Sequence, residues 1–265
     1  MASTHILIQD TATYRFIRIN RPERANALNA SMMESIADAV HSAKDSGARA
    51  IVLIGEGPKA FCAGADIKEF IQGEAQLQAQ EHGLQHMILS MVDSPLPIIA
   101  AVHGKTMGAG AMLMAMSDLV IASANLDFGI PEIRFNMYPA IVHAVMMEKV
   151  SATLANQLCL TGRMLNAVEA QSVGLVSEII DEDGAAFEKA LTQKLNDWKM
   201  RMDGLEIAHK AKRLIQTPEA LRQRLGLLSP LLMENFSRPG VREGIVTYMQ
   251  GLGSKPGKPS QPAGQ

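Results

Sequence analysis

Residues 98–122 read IIAAVHGKTMGAGAMLMAMSDLVIA, and this stretch decides the fold class. It begins and ends with continuously apolar runs, Ile98–Val102 and 119–122, whose length suits strands that are buried on both faces. Between them, the glycine-rich segment 104–110 predicts a turn, and 111–116 predicts a short helix. A strand, a turn, a helix and a second strand in this order are typical of a layered α/β core.

The same alternation extends outward from this stretch in both directions. On the N-terminal side, 14–19 and 50–54 predict strands, the first half-buried and the second buried on both faces. Apolar residues at helical spacing predict helices over 26–43, 66–80 and 78–92. On the C-terminal side we predict a strand at 175–180 and helices at 140–149, 151–158, 167–173, 184–202, 205–215 and 218–236.

The composition excludes several classes of partner. The 265 residues carry 25 Lys and Arg against 27 Asp and Glu, and this balance argues against nucleic acid or an anionic membrane as partner. Cys62 and Cys159 are too few for a disulfide framework, and we predict no metal site. No segment resembles a secretory signal or a membrane span, so we expect a cytoplasmic protein.

Two glycine-containing turns are the places where chemistry is expected. The segment 61–66 (FCAGAD) follows the 50–54 strand, and 104–110 (GKTMGAG) follows the Ile98–Val102 strand. If the two turns face each other, two main-chain N–H groups could converge on one oxygen and form an oxyanion hole. The alternative is that both are simply tight turns whose glycines permit a positive φ. Neither turn matches a nucleotide-binding loop or the nucleophile elbow of a serine hydrolase.

Seven motifs, taken in order, resemble the crotonase (enoyl-CoA hydratase/isomerase) superfamily. They are NRPERANALN at 20–29, FCAGAD at 61–66, VHGKTMGAG at 102–110, SDLVIA at 117–122, FGIPE at 128–132, LTGR at 160–163, and EA through GLV at 169–176, with a weaker match, EGI, at 243–245.

The resemblance implies a fold and an assembly. The fold is a spiral of β-β-α units over 1–180, followed by a helical trimerisation and lid region over 181–252. The tail at 253–265 contains three Pro, three Gly and no large apolar side chain, so we expect it to be disordered. The resemblance also implies a homotrimer or a dimer of trimers. The implied ligand is a coenzyme A thioester, with no permanently bound cofactor.

The resemblance also assigns residues to roles by matching positions. The main-chain N–H groups of Ala63 and Ala109 would hold the thioester carbonyl, and Glu132 would be the catalytic acid/base. The implied substrate-binding residues are Arg24, Ala25, Ala27, Ala65, Asp66, Ile67, Met107, Gly108, Met112, Pro131 and Tyr138.

One catalytic position departs from the family pattern. Two-glutamate hydratases carry a second glutamate three residues after the second oxyanion donor, and here that residue is Met112. Methionine has no proton to exchange, so hydration by two carboxylates is not expected. Met107, Met112, Met114 and Met116 would instead form a flexible apolar pocket for the acyl group. For Met114, ordinary core packing is the alternative.

Glu132 could transfer a proton without a second carboxylate. In an apolar pocket its pKa would be raised by desolvation, and it could take a proton from one carbon and return it to another. The alternative is an ordinary carboxylate at a helix N-terminus after Pro131. The following loop lacks the glycines of many hydratases. There, Tyr138 could donate a hydrogen bond near the reacting carbons, and His143 is either a second acid/base group or a structural residue.

These observations predict an acyl-CoA enzyme that works through a thioester enolate with one glutamate. Double-bond isomerisation and one-glutamate hydration are the favoured reactions. The alternatives are decarboxylation of a malonyl-type CoA thioester and a non-catalytic CoA-binding relative.

Overall fold

The computed structural model of the protein describes residues 5–70, 72–215 and 218–251. The tail predicted as disordered, 253–265, lies outside the described residues. Two β-sheets account for the strands, which are β1 (Ile6–Asp10), β2 (Tyr14–Ile19), β3 (Ala50–Gly55), β4 (Ala60–Cys62), β5 (Ile98–Val102), β6 (Lys105–Met107), β7 (Leu119–Ser123), β8 (Asp127–Gly129), β9 (Met164–Asn166) and β10 (Glu178–Ile180).

The larger sheet has six strands in the order β1-β2-β3-β5-β7-β10. All neighbours pair in parallel except β1 and β2, which are antiparallel at one edge. Every residue of β3 and β5 is buried, because side chains pack on both faces of the sheet. Ile51 and Leu53 join the main core on one face, whereas Val52 and Ile54 join a second core on the other. The predicted strands 50–54 and Ile98–Val102 are therefore confirmed.

The smaller sheet has the order β4-β6-β8-β9, in which β4, β6 and β8 are parallel and β9 is antiparallel. Each parallel strand follows one strand of the larger sheet along the chain, in the pairs β3–β4, β5–β6 and β7–β8. The chain therefore repeats a β-β-α unit, as the resemblance implied. These three-residue strands were not predicted, since they are too short to show a period-2 pattern.

The helices are α1 (Ala30–His41), α2 (Ile67–Phe70), α3 (Glu74–Val92), α4 (Ala109–Met116), α5 (Ala140–Lys149), α6 (Ala152–Thr161), α7 (Ala167–Ser172), α8 (Gly184–Trp198), α9 (Met202–Ile215), α10 (Pro218–Ser237) and α11 (Pro239–Met249). None of those described is long and apolar enough to cross a membrane.

Helix α1 begins four residues later than the predicted start at residue 26. Ala25 and Asn26 have left-handed φ angles of 50° and 57°, which no α-helix accommodates. The side-chain oxygen of Asn29 then accepts a hydrogen bond from the Met32 N–H at 2.9 Å and caps the helix. The residues before Asn29 therefore form a loop, and that loop reaches the candidate site described below.

The C-terminal helices cover two different parts of the molecule. Helix α8 packs Phe187, Leu191 and Leu195 on the second core of the larger sheet, as its apolar spacing predicted. Helices α10 and α11 instead lie against α5 and the 3-10 turn Pro131–Phe135. Helix α11 was not predicted. The division into regions at residue 180 stays a prediction.

Candidate active site

Three site segments follow the carboxyl ends of three neighbouring strands in the smaller sheet. Strand β4 leads into Ala63, β6 leads into Gly108, and β8 leads through Ile130 and Pro131 into Glu132. Parallel strands end at the same edge of a sheet, so this topology brings the three segments together. Because β6 is the middle strand, its turn lies between the other two segments.

Gly108 shows how closely the three segments meet. A Cβ atom on Gly108 would lie 2.5 Å from Oε1 of Glu132 and 3.6 Å from the Cα of Gly64. Its φ is 51° and its ψ is −113°, a conformation that residues with a side chain rarely adopt. The two glycine-containing turns therefore face each other, with the Glu132 carboxyl beside them.

The first turn is held by the loop before α1. The Ala63 N–H donates to the Ala25 carbonyl at 3.0 Å, so the donor predicted for the oxyanion hole is already engaged. Leu28 bridges the same turn, since its N–H donates to the Gly64 carbonyl and its carbonyl accepts from the Asp66 N–H.

The N–H of Ala65 is differently placed. Successive N–H groups of an extended segment point to opposite edges, so this group points away from Leu28. It has no acceptor within the described part of the chain. The Ala109 N–H also lacks an intrahelical partner, because it belongs to the first turn of α4. Position in the motif identified Ala65 only as a substrate-binding residue.

Glu132 is a buried carboxyl group in a mainly apolar setting. It is 8% exposed, and burial raises its pKa from 4.5 to about 7. Its Oε2 atom has no hydrogen-bond partner among the described residues. The side chain is carried by the 3-10 turn Pro131–Phe135, which ends at Asn136 with a left-handed φ of 60°.

These segments open into a cavity of about 400 Å³, which is the size of a site for a drug-sized ligand. Apolar side chains from α1, α3, α5 and α10 form much of its wall: Met33, Leu77, Leu84, Ile141, Val142, Leu232 and Phe236. Every predicted site residue except Met112 and Tyr138 lines this cavity, namely Arg24, Ala25, Ala27, Ala63, Ala65, Asp66, Ile67, Met107, Gly108, Ala109, Pro131 and Glu132.

Met112 and Tyr138 lie away from the cavity wall. Met112 is fully buried in the main core. Tyr138 is partly exposed, and its hydroxyl group is hydrogen-bonded to Nδ1 of His143. Burial lowers the pKa of His143, and His143 does not line the cavity either. Neither side chain therefore contributes to the cavity wall.

Charge is distributed unevenly along the cavity. Arg24, Lys68 and Lys105 line it, and none of them forms an ion pair within the described chain. Asp66 is neutralised by Arg21 at 2.8 Å. The cavity therefore combines a long apolar wall with three unpaired cations.

Sequence reasoning missed several residues that line this cavity. Lys68, Gln80, Lys105 and Tyr248 come from four different elements and carry no shared motif. Lys105 lies within the 102–110 motif, and the helical spacing of Leu77 and Leu84 could have indicated an inward face on α3.

Comparison with known proteins places these features in a family. The model of the enoyl-CoA hydratase/isomerase family matches residues 10–252. The chain is 38% identical over 190 residues to a probable enoyl-CoA hydratase of Rhizobium meliloti, covering 69% of this chain and 71% of that protein. It is 34% identical over 187 residues to the crotonyl-CoA hydratase of Syntrophomonas wolfei, covering 69% of this chain and 72% of that protein.

A solved structure supports the fold independently. The enoyl-CoA hydratase from Bacillus halodurans is similar with a TM-score of 0.82, covering 92% of this chain and 100% of that one. At 19% sequence identity this likeness concerns the fold alone, and it confirms the predicted fold class.

Proposed function

The chain belongs to the enoyl-CoA hydratase/isomerase family, and we propose that it moves a proton within an enoyl-CoA thioester through an enolate intermediate. The observation that carries this proposal is Glu132, a buried carboxyl with one unpartnered oxygen beside the two glycine-containing turns. The favoured reaction converts a 3-enoyl thioester into the 2-enoyl isomer.

The thioester oxygen is held by two main-chain donors. We assign these to the N–H groups of Ala65 and Ala109, because the N–H of Ala63 already donates to Ala25. Two preorganised donors stabilise the negative charge that develops on this oxygen when the α-proton leaves. Loss of one such donor typically costs ~3–4 kcal/mol in the transition state.

Glu132 carries the proton between two carbons. In its ionised form it removes a proton from C2 of the 3-enoyl thioester, which leaves a dienolate whose charge rests on the thioester oxygen. The neutral carboxylic acid then returns this proton to C4, and the double bond moves from C3–C4 to C2–C3. A carboxyl with a pKa of about 7 exchanges protons readily in both directions at neutral pH.

Two further carboxylates line the cavity, and each is engaged by neighbouring side chains. Asp66 is paired with Arg21, and Glu81 accepts hydrogen bonds from Gln85 and Ser229. The position of the second family glutamate is Met112, which is buried in the core. Among the described carboxyl groups that line the cavity, Glu132 is the one whose Oε1 lies beside Gly108 and the two glycine-containing turns. We therefore assign the acid/base role to it, and hydration by this chain would use this one carboxylate.

The coenzyme A part of the substrate accounts for the three unpaired cations. Its phosphates carry negative charge, and Arg24, Lys68 and Lys105 are the cationic side chains on the cavity without a carboxylate partner. The apolar wall formed by α3, α5 and α10 would receive the acyl group.

Substitution of Glu132 tests the mechanism. Glu132→Gln keeps the size of the side chain but removes its acid/base function, so isomerisation of a 3-enoyl-CoA should fall by about 10²–10⁴-fold. The matched control is Glu74→Gln, at an exposed position at the start of α3. Turnover by Glu132→Gln equal to that of the control would contradict the single-carboxylate mechanism.

A substrate panel separates the alternatives. The purified protein is assayed against 3-enoyl-, 2-enoyl- and malonyl-type CoA thioesters. Preferential turnover of the 3-enoyl thioester supports isomerisation, water addition to the 2-enoyl thioester supports one-glutamate hydration, and loss of carbon dioxide supports decarboxylation. Tight CoA binding with no turnover of any of them would indicate a binding protein.

A further inference from the structure

Two polar side chains, Gln80 and Glu81, interrupt the apolar wall of the cavity, and Gln80 is the more deeply buried of them. Helix α3 presents Leu77, Gln80, Glu81 and Leu84 to the cavity, at the i, i+3, i+4 and i+7 spacing of a single helical face. Gln80 lies in the middle of this face and is 1% exposed. Helix α3 is held close to α1 there, since a Cβ atom on Gly83 would lie 3.0 Å from the Ala30 carbonyl oxygen.

The orientation of the Gln80 amide follows from its one hydrogen bond. Its Nε2 donates to Oε2 of Glu69 at 2.6 Å. A carboxylate can only accept, so the nitrogen of the amide must face Glu69 and the oxygen must face elsewhere. This oxygen, Oε1, is buried and has no donor among the described residues.

A buried acceptor without a donor is unfavourable. The unpaired Oε1 atom of Gln80 could be satisfied by a hydrogen-bond donor on the ligand. Glu69 binds Gln80 itself, and Glu81 accepts from Gln85 and Ser229 through a single atom, Oε1. A hydroxyl group is a neutral donor that an otherwise apolar acyl chain can carry.

We propose that Gln80 is a specificity-determining residue that selects acyl groups carrying a hydroxyl group. The hydroxyl donates to Oε1 of Gln80, while the rest of the acyl chain lies against Leu77, Leu84 and the facing apolar residues of α5 and α10. This inference rests on the proposed acyl-CoA function, and it adds the substrate class, a hydroxylated enoyl thioester.

The test compares two sets of 3-enoyl-CoA thioesters of equal chain length. One set carries a hydroxyl group at successive carbons beyond the double bond, and the other is unsubstituted. Wild-type protein should show at least a tenfold higher kcat/KM for one hydroxylated isomer than for its plain counterpart, because a plain chain leaves the buried oxygen unpaired.

Two variants assign that preference to Gln80. Gln80→Met keeps the length of the side chain without its amide, and it should lower the preference to about twofold or less. Gln78→Met is the control, since Gln78 is exposed on the other side of the same helix and should keep the wild-type ratio. Thermal unfolding verifies that both variants are folded.

The outcome distinguishes this inference from the proposed function. Turnover of plain and hydroxylated thioesters at equal kcat/KM by wild-type protein, or an unchanged ratio in Gln80→Met, overturns the role of Gln80 and leaves the acyl-CoA function intact. If no thioester is turned over, the proposed function fails. In that case calorimetry measures the dissociation constants of the plain and the hydroxylated thioester for wild type and Gln80→Met. The ratio of these two constants then tests the role of Gln80 alone.

Discussion

Glu132 is buried away from water, and burial raises its pKa. As a result, activity and stability should change in opposite directions as the pH rises. Its ionised form is the base, so kcat/KM should rise with pH and level off above an apparent pKa of about 7. Stability should change in the other direction. The folded pKa lies above the unfolded value of 4.5, so the folded protein retains a proton that the unfolded chain releases.

The free energy of unfolding should therefore fall as the pH rises from about 4.5 to about 7. Glu132→Gln removes this pH-dependent contribution to the free energy of unfolding, which is on the order of 3 kcal/mol. Urea unfolding of wild type and Glu132→Gln at pH 5 and pH 8 measures it, and the variant should gain stability relative to wild type at the higher pH. An equal gain in Glu74→Gln would show that the effect does not belong to Glu132.

At the same scale, the sequence motifs pointed to many residues that line the cavity and to two, Met112 and Tyr138, that do not. Glu132 and Ala109 line the cavity because each lies within three residues of the end of a short strand. The motif could not show that Ala63 is engaged, since its acceptor is the Ala25 carbonyl in a loop far away along the chain. Nor could it show Gln80, whose significance depends on a hydrogen bond to Glu69 and on burial by other elements.

At the scale of the elements, the strands with long apolar runs were predicted correctly and the short strands were not. The fully buried strands β3 and β5 carry continuous apolar runs and were predicted within one residue at each end. Strands β4, β6 and β8 have three residues each, and they exist because neighbouring strands pair with them. The site lies at the ends of these short strands, so the sequence could indicate its turns but not their convergence.

Helix α11 gives a prediction at this scale. A Cβ atom on Gly244 would lie 2.4 Å from the carbonyl oxygen of Phe135, in the turn that also carries Glu132. Gly244→Ala should therefore displace α11 or the turn. We expect a loss of about 1–3 kcal/mol in stability and a lower kcat/KM.

Gly226 in α10 is the matched control, because nothing lies within 4 Å of the corresponding Cβ position. There, alanine should stabilise the helix by up to about 1 kcal/mol and leave kcat/KM unchanged. Thermal denaturation and steady-state kinetics on both variants provide the measurement. A melting temperature of Gly244→Ala at or above that of Gly226→Ala would contradict the close packing of α11 on the turn.

At the scale of the whole molecule, helix α10 carries apolar residues on two sides. Leu232 and Phe236 line the cavity, whereas Leu227 is 75% exposed and Leu231 is 50% exposed. Exposed leucines four residues apart form one patch on a helix, and such a patch is typical of an interface. This agrees with the trimerisation region that the resemblance implied over 181–252, and we propose a trimer or a dimer of trimers.

Sedimentation equilibrium tests the assembly. Wild-type protein should have three or six times the 28.6 kDa mass of the chain, and Leu227→Lys should shift it towards smaller species. Asp197→Lys, at an exposed position of α8, is the control and should not change the mass. A wild-type mass of one chain at micromolar concentration would rule out the trimer.

The isolation of the Glu132 carboxyl has a consequence for isotopes. With substrate filling the cavity, the abstracted proton resides on a buried group whose Oε2 has no hydrogen-bond partner in the described chain, so we expect its exchange with water to be slow. Deuterium placed at C2 of a 3-enoyl thioester should then reappear at C4 of the same molecule, even in ordinary water. Mass spectrometry of the product would measure how much deuterium is retained at C4. Complete loss of the label would mean that water reaches the carboxyl within each turnover.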